Sequence, residues 1–88
     1  MRMMIVALIV LIGLGGAGSA RADFQAGLKA AQAGDYATAL REWRPLAEQG
    51  HATAQYNLGL MYGKGRGVLQ NYQEAMMWYR KAVEHGNV

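Results

Sequence analysis

An internal repeat constrains the fold of this chain more than any other feature. Residues 35–50, DYATALREWRPLAEQG, recur thirty-six positions later as residues 71–86, NYQEAMMWYRKAVEHG. A period of this length is typical of a solenoid, in which each repeat is one supersecondary unit that buries its apolar face on its neighbours. The residues that are identical in the two copies are Tyr36 and Tyr72, Ala39 and Ala75, Arg44 and Arg80, Glu48 and Glu84, and Gly50 and Gly86.

The first twenty-two residues have the pattern of a secretory signal peptide. Arg2 gives a short positive region, residues 3–14 form an uncharged apolar run, and small residues follow at Ala20 and Ala22. The alternative, a membrane anchor, needs about 20 apolar residues, and here glycines interrupt the run after Leu14. We therefore predict cleavage between Ala22 and Asp23, with export to the periplasm or the medium and no stable membrane anchor afterwards.

Charge and composition narrow the partners of residues 23–88. This segment contains seven Lys and Arg residues and six Asp and Glu residues. Most of the net positive charge of the whole chain therefore comes from the predicted signal peptide. No cluster of basic side chains is left that could follow a phosphate backbone, and binding to nucleic acid is not expected. The chain has no cysteine, so neither a disulfide nor a lipid-modified N-terminal cysteine is available.

Apolar spacing predicts four helices in the segment that follows the leader. Asp35 and Asn71 are placed to cap the second and fourth helices with their side-chain oxygens, and Gly50 and Gly86 are placed to end these helices in the left-handed conformation. Pro45 lies inside the second helix, where we expect a kink rather than a break. The predicted ranges are 24–33, 36–49, 52–62 and a fourth helix from residue 72, with a three-residue connection in the first pair and a nine-residue connection, 63–71, in the second. The six extra residues of the second connection align Leu28 with Leu58, thirty positions apart, in the first helices of the two pairs.

Residues 51–86 closely resemble one full Sel-1-like repeat, a relative of the tetratricopeptide repeat. The resemblance implies an all-α fold, with antiparallel helix pairs in a short right-handed α/α solenoid. Residues 23–50 look like a degenerate tetratricopeptide-like pair and residues 51–88 like the complete repeat. The resemblance also implies an exported module that binds protein partners. The matching positions are Ala54, Leu58, Gly59, Tyr62, Gly63, Gly65, Gly67, Val68, Ala75, Trp78, Tyr79, Lys81, Ala82 and Gly86.

Residue patterns for catalysis, cofactors or metals are weak. Gly63, Gly65 and Gly67 suggest a phosphate loop, but the segment follows a helix and lacks the Ser or Thr of that motif, so a tight turn is the better interpretation. His51 and His85 have no ligand partners at metal-binding spacing. Residues 23–88 contain no serine and no cysteine nucleophile. We expect no catalytic, cofactor-binding or metal-binding residue, and no enzyme.

Two functional hypotheses remain, an exported adaptor or scaffold of the cell envelope, and a truncated remnant of a longer array with a purely structural role. For the adaptor, the outer face of the last helix is the predicted site of partner binding or self-association, because a terminal repeat is left without a covering neighbour. Met77 and Trp78 are its candidates, because neither belongs to the predicted core face of this helix, which consists of Tyr72, Ala75, Met76, Tyr79, Ala82 and Val83. Trp78 could instead fold back onto Val68 and Leu69. Tyr56 and Leu60 are further candidates, unless they cover the preceding helix near Leu40 and Trp43.

Overall fold

The computed structural model describes residues 22–86, and this part of the chain is all helical. Helix α1 spans Phe24–Gln32, α2 spans Tyr36–Glu48, α3 spans Ala52–Lys64 and α4 spans Tyr72–Gly86. These bounds agree with the predicted ranges to within two residues at the ends that were predicted. The predicted signal peptide lies outside the described residues except for Ala22. Among residues 22–86, no helix is both long and apolar enough to cross a bilayer.

Side-chain caps fix the starts of the four helices. The Asp35 carboxylate accepts from the amide of Thr38, and the Asn71 side chain accepts from the amide of Glu74, as predicted. Asp23 caps α1 in the same way, accepting from two amides of its first turn. His51 caps α3 with an imidazole nitrogen that accepts from the Ala54 amide at 3.1 Å. Each cap pairs amides that would otherwise lack an intrahelical acceptor.

The helices form two hairpins, α1–α2 and α3–α4, and α3 packs against both α2 and α4. The buried core therefore follows α3, with Leu58 fully buried at its centre. Phe24, Leu28 and Tyr62 pack on this core from its edges. Burial of apolar surface on both sides of one helix is what joins two small hairpins into one folded unit. The buried apolar residues are Ala39, Trp43, Ala47, Ala54, Leu58, Met61, Ala75 and Trp78.

Each hairpin is held together by an aromatic ring that lies on a glycine. A Cβ on Gly27 would lie 2.7 Å from Cδ1 of Trp43, and a Cβ on Gly59 would lie 2.5 Å from Cε1 of Tyr79. Only glycine lets the two helices approach this closely. Since Trp43 and Tyr79 are repeat counterparts, Gly27 and Gly59 are also counterparts, thirty-two residues apart.

This pairing corrects the sequence alignment of the first helices, which had set Leu28 against Leu58. The second hairpin has its extra residues in the connection 65–71, which follows α3 after Lys64 and is four residues longer than Ala33–Asp35 in the first hairpin. The helix α3 runs further than predicted, through Gly63, and so shortens that connection. The backbone amide of Asn71 donates to the Tyr62 carbonyl at 2.8 Å, which holds the end of the connection against α3.

Helix ends show two further outcomes. Helix α2 is continuous through Pro45, so the predicted absence of a break is confirmed. Gly50 has a φ of 97°, the left-handed conformation expected after a helix. Gly86 was expected to do the same, but it is the last residue of α4. The right-handed course of the stack stays a prediction.

Candidate functional site

The last helix divides into a buried face and an exposed apolar face. Ala75 and Trp78 are buried, whereas Tyr72, Met76 and Val83 are 68%, 56% and 68% exposed. We call these three residues the exposed stripe; they lie on neighbouring turns of one side of α4, at the helical spacing of four and seven residues. Large apolar side chains that are grouped on a surface, rather than scattered singly, are typical of interaction sites.

The predicted core face of α4 is therefore partly wrong. Tyr72, Met76 and Val83 were placed in the core together with Ala75, Tyr79 and Ala82, but these three are exposed. The apolar arc of α4 is wider than α3 can cover. Helix α3 covers the side that holds Ala75 and Trp78 and leaves the stripe open.

Trp78 was predicted to lie on the outer face, and this is wrong. Its side chain is only 5% exposed and belongs to the central cluster with Trp43 and Leu58. Met77 is half-buried and packs against the same cluster. Val68 packs against the same cluster, whereas Leu69 is 90% exposed, so Trp78 does not cover Leu69. Neither Met77 nor Trp78 is part of the exposed stripe.

Tyr56 and Leu60 lie in different surroundings. The Tyr56 ring is 50% exposed and packs on Tyr79 of α4, with ring centroids 5.5 Å apart. It therefore does not cover α2, as one interpretation had it. Leu60 is half-buried and lines a small cavity of 140 Å³ together with Trp43 and Met61. Leu60 thus borders a cavity next to α2, whereas Tyr56, one turn earlier on α3, packs on α4.

Tyr56 lines a larger groove between α3 and α4, with a volume of about 670 Å³. Its walls are mainly apolar, and Val83 joins it to the exposed stripe. The groove and the stripe together form one surface on the side of the α3–α4 hairpin, and we treat this surface as the candidate site. The residues that line the groove are Ala52, Thr53, Tyr56, Tyr79, Ala82, Val83 and Gly86.

The first hairpin has a counterpart of this groove, and there α3 fills it. Phe24 stacks on Trp43 at 5.6 Å, as Tyr56 packs on Tyr79 in the second hairpin. The His51 ring, at the start of α3, stacks on Phe24 at 5.1 Å. Ala47, the counterpart of Val83, is covered by α3 and is 1% exposed, whereas Val83 has no covering helix in the described residues and is 68% exposed.

Two polar contacts hold α3 in the groove of the first hairpin. The side-chain amide of Gln55, which is buried, donates to the backbone carbonyl of Ala47 at 2.9 Å. The guanidinium of Arg44 donates to the hydroxyl of Tyr62 at 2.7 Å. The repeat counterpart of Arg44 is Arg80, which is exposed on α4 beside the stripe. The second hairpin therefore has the same guanidinium group, but within residues 22–86 no helix covers it as α3 covers Arg44.

The glycine-rich connection after α3 is a turn, as expected. Gly65 and Gly67 have φ values of 70° and 75°, in the left-handed region that favours glycine, while Gly63 is helical. The guanidinium of Arg66 lies 5.4 Å from the centroid of the Tyr36 ring, a cation–π contact that holds the turn against the start of α2. Arg66 is thus engaged with the protein itself.

The two histidines contact other residues of the fold. His51 caps α3 and stacks on Phe24. A ring nitrogen of His85 lies 3.1 Å from the side-chain oxygen of Gln55 and so connects the last turn of α4 to the buried amide. Within residues 22–86, no three His, Asp or Glu side chains are grouped closely enough to hold a metal ion together.

Stacked helical hairpins with a shared middle helix define the class of α-helical repeat proteins. Within that class, residues 52–87 match the family model of the Sel1 repeat. The resemblance of residues 51–86 to this repeat is confirmed, and the second hairpin of the chain is a Sel1-like repeat. No curated protein and no solved structure was found to match the chain.

The sequence contained a signal for the exposed stripe, although the prediction assigned its residues to the core. In the repeat alignment Val83 stands opposite the smaller Ala47. A large residue in place of a small one, at a position that a next helix would cover, is a reason to expect an open apolar surface there. The expectation of exposed apolar surface on the last helix was sound, but the residues chosen for it were not.

Proposed function

We propose that this chain is an exported protein–protein interaction module, an adaptor or scaffold of the cell envelope, without catalytic activity of its own. The observation that carries the proposal is the apolar surface formed by the α3–α4 groove and the exposed stripe. Tyr72, Met76 and Val83 each expose more than half of their side chain in a fold of four short helices. Sel1-type repeats are interaction modules, and the match at residues 52–87 places this surface within the repeat itself.

The energetics of the surface favour a protein partner. Burial of apolar area contributes about 25 cal/mol per Å², so covering Tyr72, Met76 and Val83 supplies a few kcal/mol before the costs of association. Aromatic residues and methionine are the types most enriched at the centres of protein interfaces. Tyr56 and Tyr79 add two rings at the floor of the groove. A small polar ligand would gain little from such walls.

Cross-linking in the native cell tests the interaction. A photoreactive amino acid at Val83 should give a cross-linked protein species in the envelope fraction. The same probe at Glu84 is the matched control, because consecutive helix residues point about 100° apart and Glu84 lies outside the stripe. If neither position gives a product, or if both give the same products, the groove and stripe are not a binding surface.

Export is the second part of the proposal, and it is supported by the leader pattern and by the fold around Asp23. The backbone nitrogen of Asp23 donates to the Glu42 carboxylate at 2.9 Å. Cleavage after Ala22 would turn this nitrogen into an ammonium group that faces a carboxylate, so the start of α1 would keep its partner on α2. Intact mass of the protein from the extracytoplasmic fraction should correspond to residues 23–88. A mass of the whole chain would contradict processing at this bond.

A further inference from the structure

The packing of α3 in the groove of the first hairpin shows what kind of helix would fit the corresponding groove of the second hairpin. From this correspondence we propose that the partner surface receives an amphipathic helix of the α3 type, carried by another protein. The inference rests on the proposed function and adds to it the kind of partner and its orientation. Three contacts of α3 define what such a helix must provide.

The first two contacts set the start and the middle of the incoming helix. The ring of His51, at the start of α3, stacks on Phe24 of the first hairpin. The counterpart of Phe24 in the second hairpin is Tyr56. Four residues later Gln55 donates its amide to the Ala47 carbonyl, whose counterpart is the carbonyl of Val83. A carbonyl oxygen can accept two hydrogen bonds, and that of Ala47 also accepts from the amide of Gly50. The incoming helix should therefore carry a ring and, one turn later, an amide.

The third contact lies at the far end of the incoming helix. The hydroxyl of Tyr62 accepts from Arg44 at 2.7 Å, and the counterpart of Arg44 is Arg80. A hydroxyl or carboxylate seven residues after the amide would meet Arg80. Between the amide at position 55 and the hydroxyl at position 62, α3 carries the buried apolar residues Leu58 and Met61. Apolar residues at the same positions of the incoming helix would cover the exposed stripe. Positions 51, 55, 58 and 62 share one face of α3, so a single helix face can make all these contacts.

A second copy of this chain is a poor source of that helix. Its own α3 is buried between α2 and α4. Among the described residues its α1 packs mainly on α2. However, the counterparts of Gln55, Leu58 and Met61, thirty-two residues earlier, are the N-cap Asp23 and, within α1, Ala26 and Lys29. A carboxylate, a methyl group and an ammonium group cannot fill an apolar groove lined by tyrosine and valine without leaving charges desolvated. Neither α1 nor α3 of a second copy therefore fits the groove, and the occupant that we propose is a helix of a different chain.

The test uses the full chain and a synthetic peptide of residues 51–64, constrained as a helix by a staple through positions 53 and 57, which lie away from the contact face. The constraint is needed because an isolated helix of this length is marginal in water. Fluorescence anisotropy should show saturable binding. Val83→Glu should weaken it about tenfold or more, because a carboxylate would be buried against the peptide. Gln73→Glu adds the same charge to α4 outside the stripe and should leave binding unchanged.

A double-mutant cycle tests the orientation of the peptide. Arg80→Ala should weaken binding of the peptide about fivefold, as expected for one lost hydrogen bond, and should have little further effect on a peptide with Tyr62→Phe. Circular dichroism confirms that each variant is folded. A peptide that does not bind the folded protein, or that binds the Val83→Glu variant equally well, overturns the inference.

Two other outcomes separate this inference from the proposed function. If Val83 cross-links an envelope protein in the cell but the constrained peptide does not bind, the interaction surface stands and the α3-type occupant is wrong. If sedimentation equilibrium shows a dimer that Val83→Glu converts to a monomer, the occupant is a second copy, and the inference is again overturned.

Discussion

At the scale of single residues, two glycines and two aromatic rings set how the helices of each hairpin approach. Gly27 lies under Trp43 and Gly59 lies under Tyr79, so that the ring takes the space of a Cβ. The two sites differ in rigidity. Trp43 is buried and its indole N–H donates to the Phe24 carbonyl at 3.1 Å, whereas Tyr79 borders the open groove. The first hairpin is therefore the less tolerant of change.

Gly27→Ala should destabilise the protein. The new methyl group would overlap the Trp43 ring, which is fixed by burial and by its hydrogen bond, and overpacking of this kind costs about 1–3 kcal/mol or more. Gly63→Ala is the matched control, because its methyl group would lie 3.8 Å from the Cβ of Ala75, an ordinary contact. Gly63→Ala should stabilise the helix by up to about 1 kcal/mol. Urea denaturation measures both changes, and equal effects would contradict the packing described.

The two buried tryptophans should respond differently to replacement by phenylalanine. Trp43→Phe removes the hydrogen bond to Phe24, whereas the indole nitrogen of Trp78 is buried without a hydrogen-bond partner among residues 22–86. Both changes lose buried ring area, but Trp78→Phe also removes an unpaired polar group. Trp43→Phe should therefore lower the free energy of unfolding by about 1–2 kcal/mol more than Trp78→Phe does. The reverse order would show that Trp78 has a partner in solution.

At the scale of elements, polar caps decide where the helices begin. Asp35 lies at the start of α2, between the two helices of the first hairpin, and its capping bond to Thr38 is 3.2 Å long. Hydrogen bonds from the Thr38 side chain and then from its amide lower the pKa of Asp35 below its ordinary value of 3.8. Arg41 adds a smaller attraction in the same direction. The folded state therefore favours the ionised carboxylate.

This shift predicts a dependence of stability on acid. The folded pKa of Asp35 lies below the unfolded one, so its contribution is complete above the ordinary value of 3.8 and is lost as the pH falls through the folded pKa. Asp35→Asn keeps a capping oxygen but cannot titrate. The free energy of unfolding of this variant should fall less steeply than that of the parent as the pH is lowered below the ordinary value of 3.8. Equal slopes for the two proteins would show that the cap does not depend on the charge.

At the scale of the whole molecule, α3 is the element that both hairpins share. Leu58 has no exposed surface, and it belongs to the cluster that also contains Trp43 of α2 and Trp78 of α4. Leu60 is on the same helix but is half-buried beside a 140 Å³ cavity. Because the fold is small, its stability depends on a few fully buried side chains of this kind.

Leu58→Ala should cost about 3–5 kcal/mol and Leu60→Ala about 1–2 kcal/mol, since only the first removes a fully buried side chain and leaves a closed cavity. Loss of this size approaches the total stability of a small domain. Leu58→Met, which nearly keeps the volume, should cost less than about 1.5 kcal/mol and shows whether the site tolerates change. Thermal and urea unfolding by circular dichroism measure the series. If Leu60→Ala lowered the free energy of unfolding more than Leu58→Ala did, the centre of the core would lie nearer to α2 than described.

The same view of the whole molecule separates what local patterns could predict from what they could not. Caps such as Asp35 and Asn71, the four helices and the thirty-six-residue repeat are all readable from the chain, because each depends on residues close in sequence. The match to the Sel1 repeat rests on the same local spacing. Local spacing also showed that the last helix has more apolar surface than one neighbour can cover.

Only the tertiary structure decided which of those apolar residues are covered. Periodicity assigns residues to a face of a helix, but the arc that a neighbour covers depends on how closely and at what rotation the two helices approach. Gly59 lets Tyr79 lie on α3, and α4 packs there with Trp78 buried and Val83 exposed. The sequence by itself therefore determined the repeat and its helices, while the packing of α4 on α3 decided where the candidate binding surface lies.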